Sequence, residues 1–202
     1  MKNVYQVPAK DESVQIEIKK SRFIAYGHYV TEREQAMDFL VKLKAQYPDA
    51  RHHCWAYLLG NPTLASNAGM NDDGEPSGTA GKPILNVIQH KKIGDIIVVV
   101  VRYFGGIKLG TGGLTRAYSS AAEALLSSIE LTEHVPMINA RLTMGFSQEN
   151  KVRHWLTLHN GRIISIAYQA QDVVAEVVLP ELAGEAFLLL CQQGNINVDF
   201  YD

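Results

Sequence analysis

The chain has 202 residues, of which 47% are hydrophobic and 20% are charged. This length and average composition exclude a disordered chain, a collagen-like repeat and a disulfide-stapled miniprotein. The 19 basic residues nearly balance the 21 acidic ones, giving a net charge of −2, so a nucleic-acid or membrane partner must bind a local patch.

Several features of the sequence predict a cytoplasmic location. Cys54 and Cys191 each lie alone in an apolar stretch, without the spacing of a metal site, which is typical of buried thiols. The first residues lack the apolar core of a signal peptide. The longest apolar run, Ile96 to Val101, is far shorter than the roughly 20 residues that span a bilayer.

The first half of the chain predicts strands and helices in alternation. A hairpin is expected over 13–19 and 22–30, with its turn near Lys20 and Ser21. Thr31 and Glu34 have the spacing of a capping box, which begins a helix that Pro48 stops. The next predicted elements are a strand over 51–59, a long polar loop over 60–83, a short helix over 84–90, a buried strand over 96–104 and a helix over 112–129.

The second half has a different pattern and predicts a second domain. The charges and the proline of residues 131–136 favour a linker. Beyond it we predict a strand over 137–146, a helix over 148–159, strands over 162–170 and 172–179, a helix over 181–192 and a strand over 196–201. This βαββαβ order is that of a ferredoxin-like split βαβ sandwich. Fifteen of the 19 basic residues lie in the first 135 positions.

The strongest local feature is a glycine-rich segment between a predicted strand and a predicted helix. Its glycines let a backbone approach a ligand closely, and a helix start offers unpaired N–H groups to an anion. We therefore predict a site for phosphate, with a nucleic-acid backbone as the partner. Its candidate residues are Arg102, Gly105, Gly106, Lys108, Gly110, Thr111, Gly112, Gly113 and Arg116. The alternative is a tight connection whose glycines only permit close packing.

Known phosphate motifs fit this segment poorly. Thr111 stands where a P-loop needs lysine, and no G-x-G-x-x-G is present, which disfavours a nucleotide hydrolase or a dinucleotide enzyme. Tyr103 and Phe104 can stack a nucleic-acid base, although the alternation of a strand places one of them in the core.

A second candidate is a polar segment with three carboxylates within four residues. We treat it as a candidate ligand or metal loop, with Mg²⁺ as the hard cation that carboxylates prefer. Its residues are Asp72, Asp73, Glu75, Ser77 and Thr79. The spacing of an EF-hand is absent, and the alternative is that Ser77 and Thr79 cap the following helix, with the Asp and Glu residues near its positive end. No resident cofactor or metal is predicted.

The sequence gives little support for catalysis. His53 and Cys54 point to opposite faces of a strand. His52 and Cys54 share a face, but residues two apart in a strand lie about 7 Å apart, which is too far for a hydrogen-bonded pair. A non-enzymatic function is therefore favoured.

Linked blocks of residues resemble the signature of the IMPACT family, and within it the bacterial YigZ-type members. The blocks are Arg51 to Cys54, Asp72 to Gly81, Gly81 to Leu85, and Val99 to Gly110. The resemblance is dense over about 50–130 and extends to the whole chain in layout. It implies an N-terminal domain over 1–133 with the fold of the second domain of ribosomal protein S5. It also implies a ferredoxin-like domain over 136–202, a pair similar to domains IV and V of elongation factor G.

The resemblance also implies a function in translation. Eukaryotic members of the family regulate translation under stress by interfering with activation of a translation-initiation-factor kinase, partly through an extra N-terminal RWD domain. This sequence starts directly at the predicted hairpin, so control of a kinase through that domain is not expected.

Three hypotheses follow. The leading one is a non-enzymatic regulator of translation that binds the ribosome or structured RNA, and that can have a translation-linked protein partner. The alternative is an enzyme or binder of a small phosphorylated ligand, with or without Mg²⁺, in a cleft between loops 72–81 and 105–113. The third is a protein-interaction adaptor.

Overall fold

The computed structural model describes residues 4–64 and 67–201, and the contacts within them divide the chain into two compact units. The first unit is Tyr5–His134, and the second contains residues 135–201. Both combine helices with antiparallel sheets, which confirms the predicted mixed α+β class.

The first unit is built on a five-stranded antiparallel sheet with the order β2-β3-β6-β4-β5, and a two-stranded sheet pairs β1 with β7. Its strands are β1 (Tyr5–Pro8), β2 (Glu12–Ile18), β3 (Ser21–Tyr29), β4 (His52–Leu59), β5 (Asn67–Asn71), β6 (Ile96–Tyr103) and β7 (Leu131–His134). Its helices are α1 (Arg33–Gln46), α2 (Gly81–Lys91) and α3 (Thr111–Ser128).

Helices cover both faces of the five-stranded sheet. α2 and α3 pack on one face, around Phe23, Cys54 and Leu58. α1 packs on the other face, where its Leu40 and Leu43 meet strand residues that point the opposite way. The central strand β6 is buried on both faces from Ile96 to Val101, which is why its sequence is an unbroken apolar run.

The hairpin and the first helix differ in detail from the prediction. Ile18 pairs with Ser21, so the turn is Lys19-Lys20. Both lysines have positive φ, 47° and 65°, as a two-residue type I′ hairpin requires. The predicted capping box of Thr31 is wrong, because α1 begins later, with Glu32 as its N-cap residue and no side-chain cap.

Three short strands were not predicted, and the first of them, β1, precedes the expected hairpin. β5 lies within the polar stretch expected to be a loop, and it pairs with β4 along the edge of the sheet. The first four residues of the expected linker 131–136 form β7, which pairs antiparallel with β1. All three strands are too short to show the alternation that predicts a strand.

The second unit has the βαββαβ order that the sequence predicted. Its elements are β8 (Met137–Met144), α4 (Phe146–Leu158), β9 (Arg162–Tyr168), β10 (Val173–Pro180), α5 (Gly184–Gln193) and β11 (Asn197–Tyr201). The strands form one antiparallel sheet with the order β11-β8-β10-β9. A 3-10 turn, Glu181–Ala183, replaces the predicted first turn of the last helix. The apolar residues of α4 and α5 pack on the sheet around Leu142, Val177 and Phe187.

Candidate functional site

Both candidate loops lie at one end of the five-stranded sheet. His52, the first residue of β4, pairs with Arg102 near the end of β6. On the other side of β6, Tyr103 pairs with Arg22, close to the β2–β3 turn. The acidic loop (residues 72–81) leads from the end of β5 into α2, and the glycine loop (residues 105–113) leads from β6 into α3. The fold thus brings the two loops to the same edge, together with the starts of two helices.

Two glycines of the glycine loop have a structural function. A Cβ on Gly105 would lie 1.9 Å from the carbonyl carbon of Lys20, so only glycine lets the loop pass this close to the β2–β3 turn. The N–H of Gly105 donates to Ser21 Oγ at 3.1 Å. Gly110 has a φ of +73°, a conformation that favours glycine, and it turns the chain into α3.

The other residues of the glycine loop are less tightly packed or exposed. Gly106 also has a positive φ, of +86°. A Cβ on Gly112 would meet only the far end of the Arg116 side chain, at 3.6 Å, whereas one on Gly113 would lie 3.1 Å from Leu109 Cβ. Lys108 and Arg116 are both exposed. Gly112 therefore is not required by packing.

The start of α3 is open. Its N-cap residue is Gly110, no described side chain caps it, and its first turn holds no acidic residue. The first hydrogen bond of the helix runs from Leu114 N–H to Gly110 O at 2.9 Å. Because the first N–H groups of a helix have no acceptor within it, those of Thr111, Gly112 and Gly113 remain available to an external anion.

The start of α2 is closed by the carboxylate of Asp72. Its Oδ1 accepts N–H groups from Ala80 at 2.9 Å and Gly81 at 2.8 Å, and its Oδ2 accepts one from Gly78 at 2.7 Å. Burial works to raise the pKa of Asp72, but these three N–H groups outweigh it and lower the pKa below its usual range. Asp72 thus fills the place that an external anion would take.

Other residues of the acidic loop form hydrogen bonds with separate partners. Asp73 accepts the N–H of His53 at 2.7 Å and pairs with Lys44 at 2.9 Å. Burial works to raise the pKa of Asp73, and these contacts lower it below its usual value. The hydroxyl of Thr79 donates to Pro76 O at 2.7 Å, so the predicted capping by Thr79 is wrong. Ser77 is exposed.

Glu75 forms a buried ion pair with Arg102. Nη1 of Arg102 lies 2.5 Å from Glu75 Oε1, and the two side chains are only 8% and 4% exposed. Tyr118 donates its hydroxyl to the same oxygen at 2.8 Å, and the Cys54 thiol donates to the Tyr118 oxygen at 3.3 Å. Arg102, predicted as a phosphate contact, is therefore committed first to a carboxylate of its own chain.

The carboxylates of the acidic loop are not gathered around one point. Within residues 4–64 and 67–201, no group of three or more His, Cys, Asp or Glu side chains is arranged to hold a metal ion. Each of Asp72, Asp73 and Glu75 instead bonds to protein donors. The loop thus stabilises the start of α2 and the buried ion pair between Glu75 and Arg102.

A cleft of about 410 Å³ lies between the two loops. Its lining residues are Arg51, His52, Glu75, Pro76, Arg102, Phe104, Lys108, Leu109, Gly110, Thr111 and Leu114. It therefore joins the open start of α3 to exposed basic side chains and to the buried ion pair.

The histidines and the cysteine near the cleft do not form a catalytic pair. The Cys54 thiol is buried, and burial raises its pKa, which keeps it protonated. His53 lies on the other face of β4, and burial lowers its pKa. His52 Nδ1 bonds to the carbonyl oxygen of Asp73 at 2.8 Å. No described contact joins either imidazole to the thiol.

Sequence reasoning missed two residues of the site. One is Tyr118, although a tyrosine in a helix face of alanine and leucine signals a buried hydroxyl that needs a partner. Arg51 lines the cleft from the segment before β4. The predicted polar loop gave no indication that this arginine faces the glycine loop.

Among the described residues, no helix combines the length and the apolar character that crossing a membrane would require.

Comparisons with known proteins add independent information. Residues 19–126 match the family described as the Impact N-terminal domain. A Haemophilus influenzae protein called "IMPACT family member" is 43% identical over 82% of this chain and 81% of its own length. The Escherichia coli protein "IMPACT family member YigZ" is 41% identical over 86% of this chain and 85% of its own. A solved structure, "Crystal structure of an hypothetical protein", shares 37% identity and a TM-score of 0.73, covering 98% of this chain and 97% of that one.

Proposed function

Because the chain belongs to the IMPACT family, we propose that it regulates translation without catalysing a reaction, by binding phosphate groups of ribosomal or other structured RNA. The family resemblance links its eukaryotic members to translational control, and this chain would act at the RNA itself. A translation-linked protein partner and a cytoplasmic location are part of the same proposal.

The finer fold assignments belong to this proposal. We assign the first unit to the fold of the second domain of ribosomal protein S5, and the second unit to the ferredoxin-like fold. The β11-β8-β10-β9 order and the βαββαβ connection support the second assignment. Likeness to ribosome-contacting folds favours an RNA partner, although fold alone does not establish function.

The open start of α3 is the observation that carries the proposal. Its free N–H groups and the helix dipole attract an anion, and no carboxylate of the described chain occupies the position. Lys108 lies in the lining of the adjacent cleft, and Arg116 is exposed one turn into the helix. These cations can add charge-assisted contacts to phosphate oxygens.

We reassign one of the three proposed cations, from Arg102 to Arg51. Arg102 keeps its Nη1 on Glu75, so it organises the floor of the cleft rather than reaching outward. Arg51 lines the cleft and is exposed, and it takes the third position that the sequence had given to Arg102. The proposed phosphate contacts are thus Arg51, Lys108, Arg116 and the N–H groups at the start of α3.

The buried thiol and the separated carboxylates support a function without catalysis. Cys54 is fully buried, and its raised pKa disfavours the thiolate that a nucleophile requires. Asp72, Asp73 and Glu75 each bond to a different set of protein donors. General acid–base or metal-assisted chemistry would need such groups to converge on one point.

The direct test is cosedimentation of the purified chain with ribosomes over a range of salt concentrations. Lys108→Ala/Arg116→Ala is expected to weaken binding about tenfold at low salt and to reduce the salt slope by about 1.4 to 1.8, since each lost phosphate contact contributes about 0.7 to 0.9. Lys151→Ala/Arg162→Ala removes two exposed cations of the second unit and is the matched control. Equal sedimentation of both double variants and the unaltered chain would contradict the proposal.

The cleft volume favours one alternative, a small phosphorylated ligand. About 410 Å³ lies in the range of about 300–1,000 Å³ typical of small-molecule sites. Thermal-shift measurements with a panel of phosphorylated metabolites, with and without Mg²⁺, test it. Saturable stabilisation that is lost in Lys108→Ala, without any ribosome binding, would favour this alternative over RNA.

A further inference from the structure

The cleft holds two groups that a phosphate contact does not use. The ring of Phe104 lines the cleft and is 52% exposed, which is unusual for a phenylalanine directly after a buried strand. Beneath it lies the guanidinium of Arg102, whose Cζ is 5.8 Å from the centroid of the Phe104 ring. The cleft therefore presents a flat aromatic ring with a positive charge next to it.

The floor of the cleft also has unused hydrogen-bonding capacity. The side chain of Arg102 is buried, yet its Nε has no hydrogen-bond partner among the described residues. Buried donors of this kind normally have a partner, so this one suits a ligand acceptor. Glu75 lies beside it and also lines the cleft, which sets a carboxylate acceptor next to a guanidinium donor.

These groups suit a nucleic-acid base. A carboxylate repels a phosphate, and a phenylalanine ring offers it nothing, so phosphate alone does not account for the floor. A base has a flat face that stacks on an aromatic ring and an edge that carries both donors and acceptors. The open start of α3 then lies at the rim, where the phosphate attached to that base would be.

We propose that this cleft takes one unpaired nucleotide of single-stranded RNA. The base stacks on Phe104 with its edge toward Arg102 and Glu75, and the phosphate lies at the N–H groups of Thr111, Gly112 and Gly113. The volume of about 410 Å³ fits one small ligand and excludes a duplex, whose bases are already stacked and paired. This inference rests on the proposed function and names its substrate class.

The test compares two RNA probes by fluorescence anisotropy with the full chain. One is an eight-nucleotide oligouridylate, and the other is a blunt duplex of mixed sequence and equal length per strand. The single strand is expected to bind at least about tenfold more tightly at equal salt, because only it offers free bases.

A ring variant separates stacking from phosphate binding. Phe104→Leu keeps an apolar side chain but removes the ring, and it is expected to weaken oligouridylate binding about tenfold while leaving the salt slope unchanged. Phe146→Leu is the control, because Phe146 is 51% exposed and lies on α4 of the second unit. Circular dichroism checks that both variants fold.

The outcomes distinguish this inference from the proposed function. Equal affinity for duplex and single strand, or no effect of Phe104→Leu beyond that of Phe146→Leu, would overturn the single-nucleotide site while phosphate binding stood. Binding of neither RNA would overturn the single-nucleotide site, and it would contradict the proposed function as well if the chain also failed to cosediment with ribosomes.

Discussion

Helices α2 and α3 begin at the same end of the same sheet, yet their first turns are completed in opposite ways. At α2, the carboxylate of Asp72 accepts three N–H groups, so the chain supplies its own anion. At α3, the N-cap residue is Gly110, and neither a side-chain cap nor an acidic residue is present in the first turn. A glycine-rich helix start is thus not in itself a binding site, since what matters is whether the chain already fills it.

The largest expected effect comes from the ion pair that lies between the two helix starts. Arg102→Met leaves the Glu75 carboxylate buried without its cation, and breaking such a pair costs about 3–5 kcal/mol of unfolding free energy. Urea unfolding followed by the fluorescence of Trp55, with Trp155 replaced by Phe, measures the first unit. Disorder of both helix starts would follow from this loss.

The double variant Arg102→Met/Glu75→Leu is the control for that prediction. It removes the unpaired charge along with the cation, so it is expected to recover a large part of the lost stability. If Arg102→Met alone were as stable as the unaltered chain, the pair would not be holding the floor between the two loops.

An intermediate effect is expected from removing the anion at α2. Asp72→Ala takes the acceptor from three N–H groups, and loss of a helix cap costs about 1–2 kcal/mol. Urea unfolding at pH 7 measures this loss. Without this carboxylate, the start of α2 would resemble the open start of α3. Asp72→Asn keeps one acceptor oxygen, so it is expected to lose less unfolding free energy.

Asp72 also makes the stability of the first unit depend on pH. The pKa of Asp72 is lower in the folded chain than its usual value, so its contribution is present above that usual value, about 3.9, and is lost as the pH falls through the folded pKa. Below about pH 4 the unaltered chain is therefore expected to lose more stability than Asp72→Ala. If acid unfolding lowered the stability of the unaltered chain and of Asp72→Ala in parallel, the Asp72 carboxylate would not be the group that stabilises the start of α2.

The smallest expected effect on stability has the opposite sign and comes from closing α3. Gly112→Glu places an acid in the first turn, and a Cβ there meets only Arg116 Nη1 at 3.6 Å. Replacing a helix glycine and adding a favourable charge are expected to stabilise the first unit by about 0.5–1 kcal/mol. Oligouridylate binding is expected to weaken about tenfold, because the glutamate occupies the place of the phosphate.

Gly112→Ala is the matched control, since it removes the glycine without adding charge. It is expected to stabilise the unit by a similar amount and to bind oligouridylate nearly as well as the unaltered chain. If Gly112→Glu bound RNA as tightly as Gly112→Ala, the open start of α3 would not be the phosphate site.

The elements predicted well are those whose signal is carried by their own residues. β6 is an unbroken apolar run, and α3 has apolar residues at helical spacing, so the predicted bounds lie within one residue of the observed ones. β5 and β7 were missed because Asn67–Asn71 and Leu131–His134 lack alternation and form strands only through backbone pairing with β4 and β1.

The candidate site, too, has one part that the local sequence reveals and another that depends on contacts between distant residues. The glycine loop and the start of α3 are visible in the sequence, since glycine density next to a helix start is a local pattern. The commitment of Arg102 to Glu75 joins residues 27 positions apart and arises only when β6 and the acidic loop meet. The closing of α2 was predicted in part, because acidic residues were expected near the positive end of that helix, and the structure shows that Asp72 is the one that accepts its N–H groups.

The most direct test of the account is a titration of the ¹⁵N-labelled chain with the eight-nucleotide oligouridylate, followed by backbone amide chemical shifts. The two helix starts serve as each other's reference in one spectrum. If the open start of α3 binds the phosphate, we expect saturable shifts of the Thr111, Gly112 and Gly113 amides, while those of Gly78, Ala80 and Gly81, which donate to Asp72, stay in place. Shifts confined to the α2 start, or no shift at α3 once the RNA is bound, would contradict it.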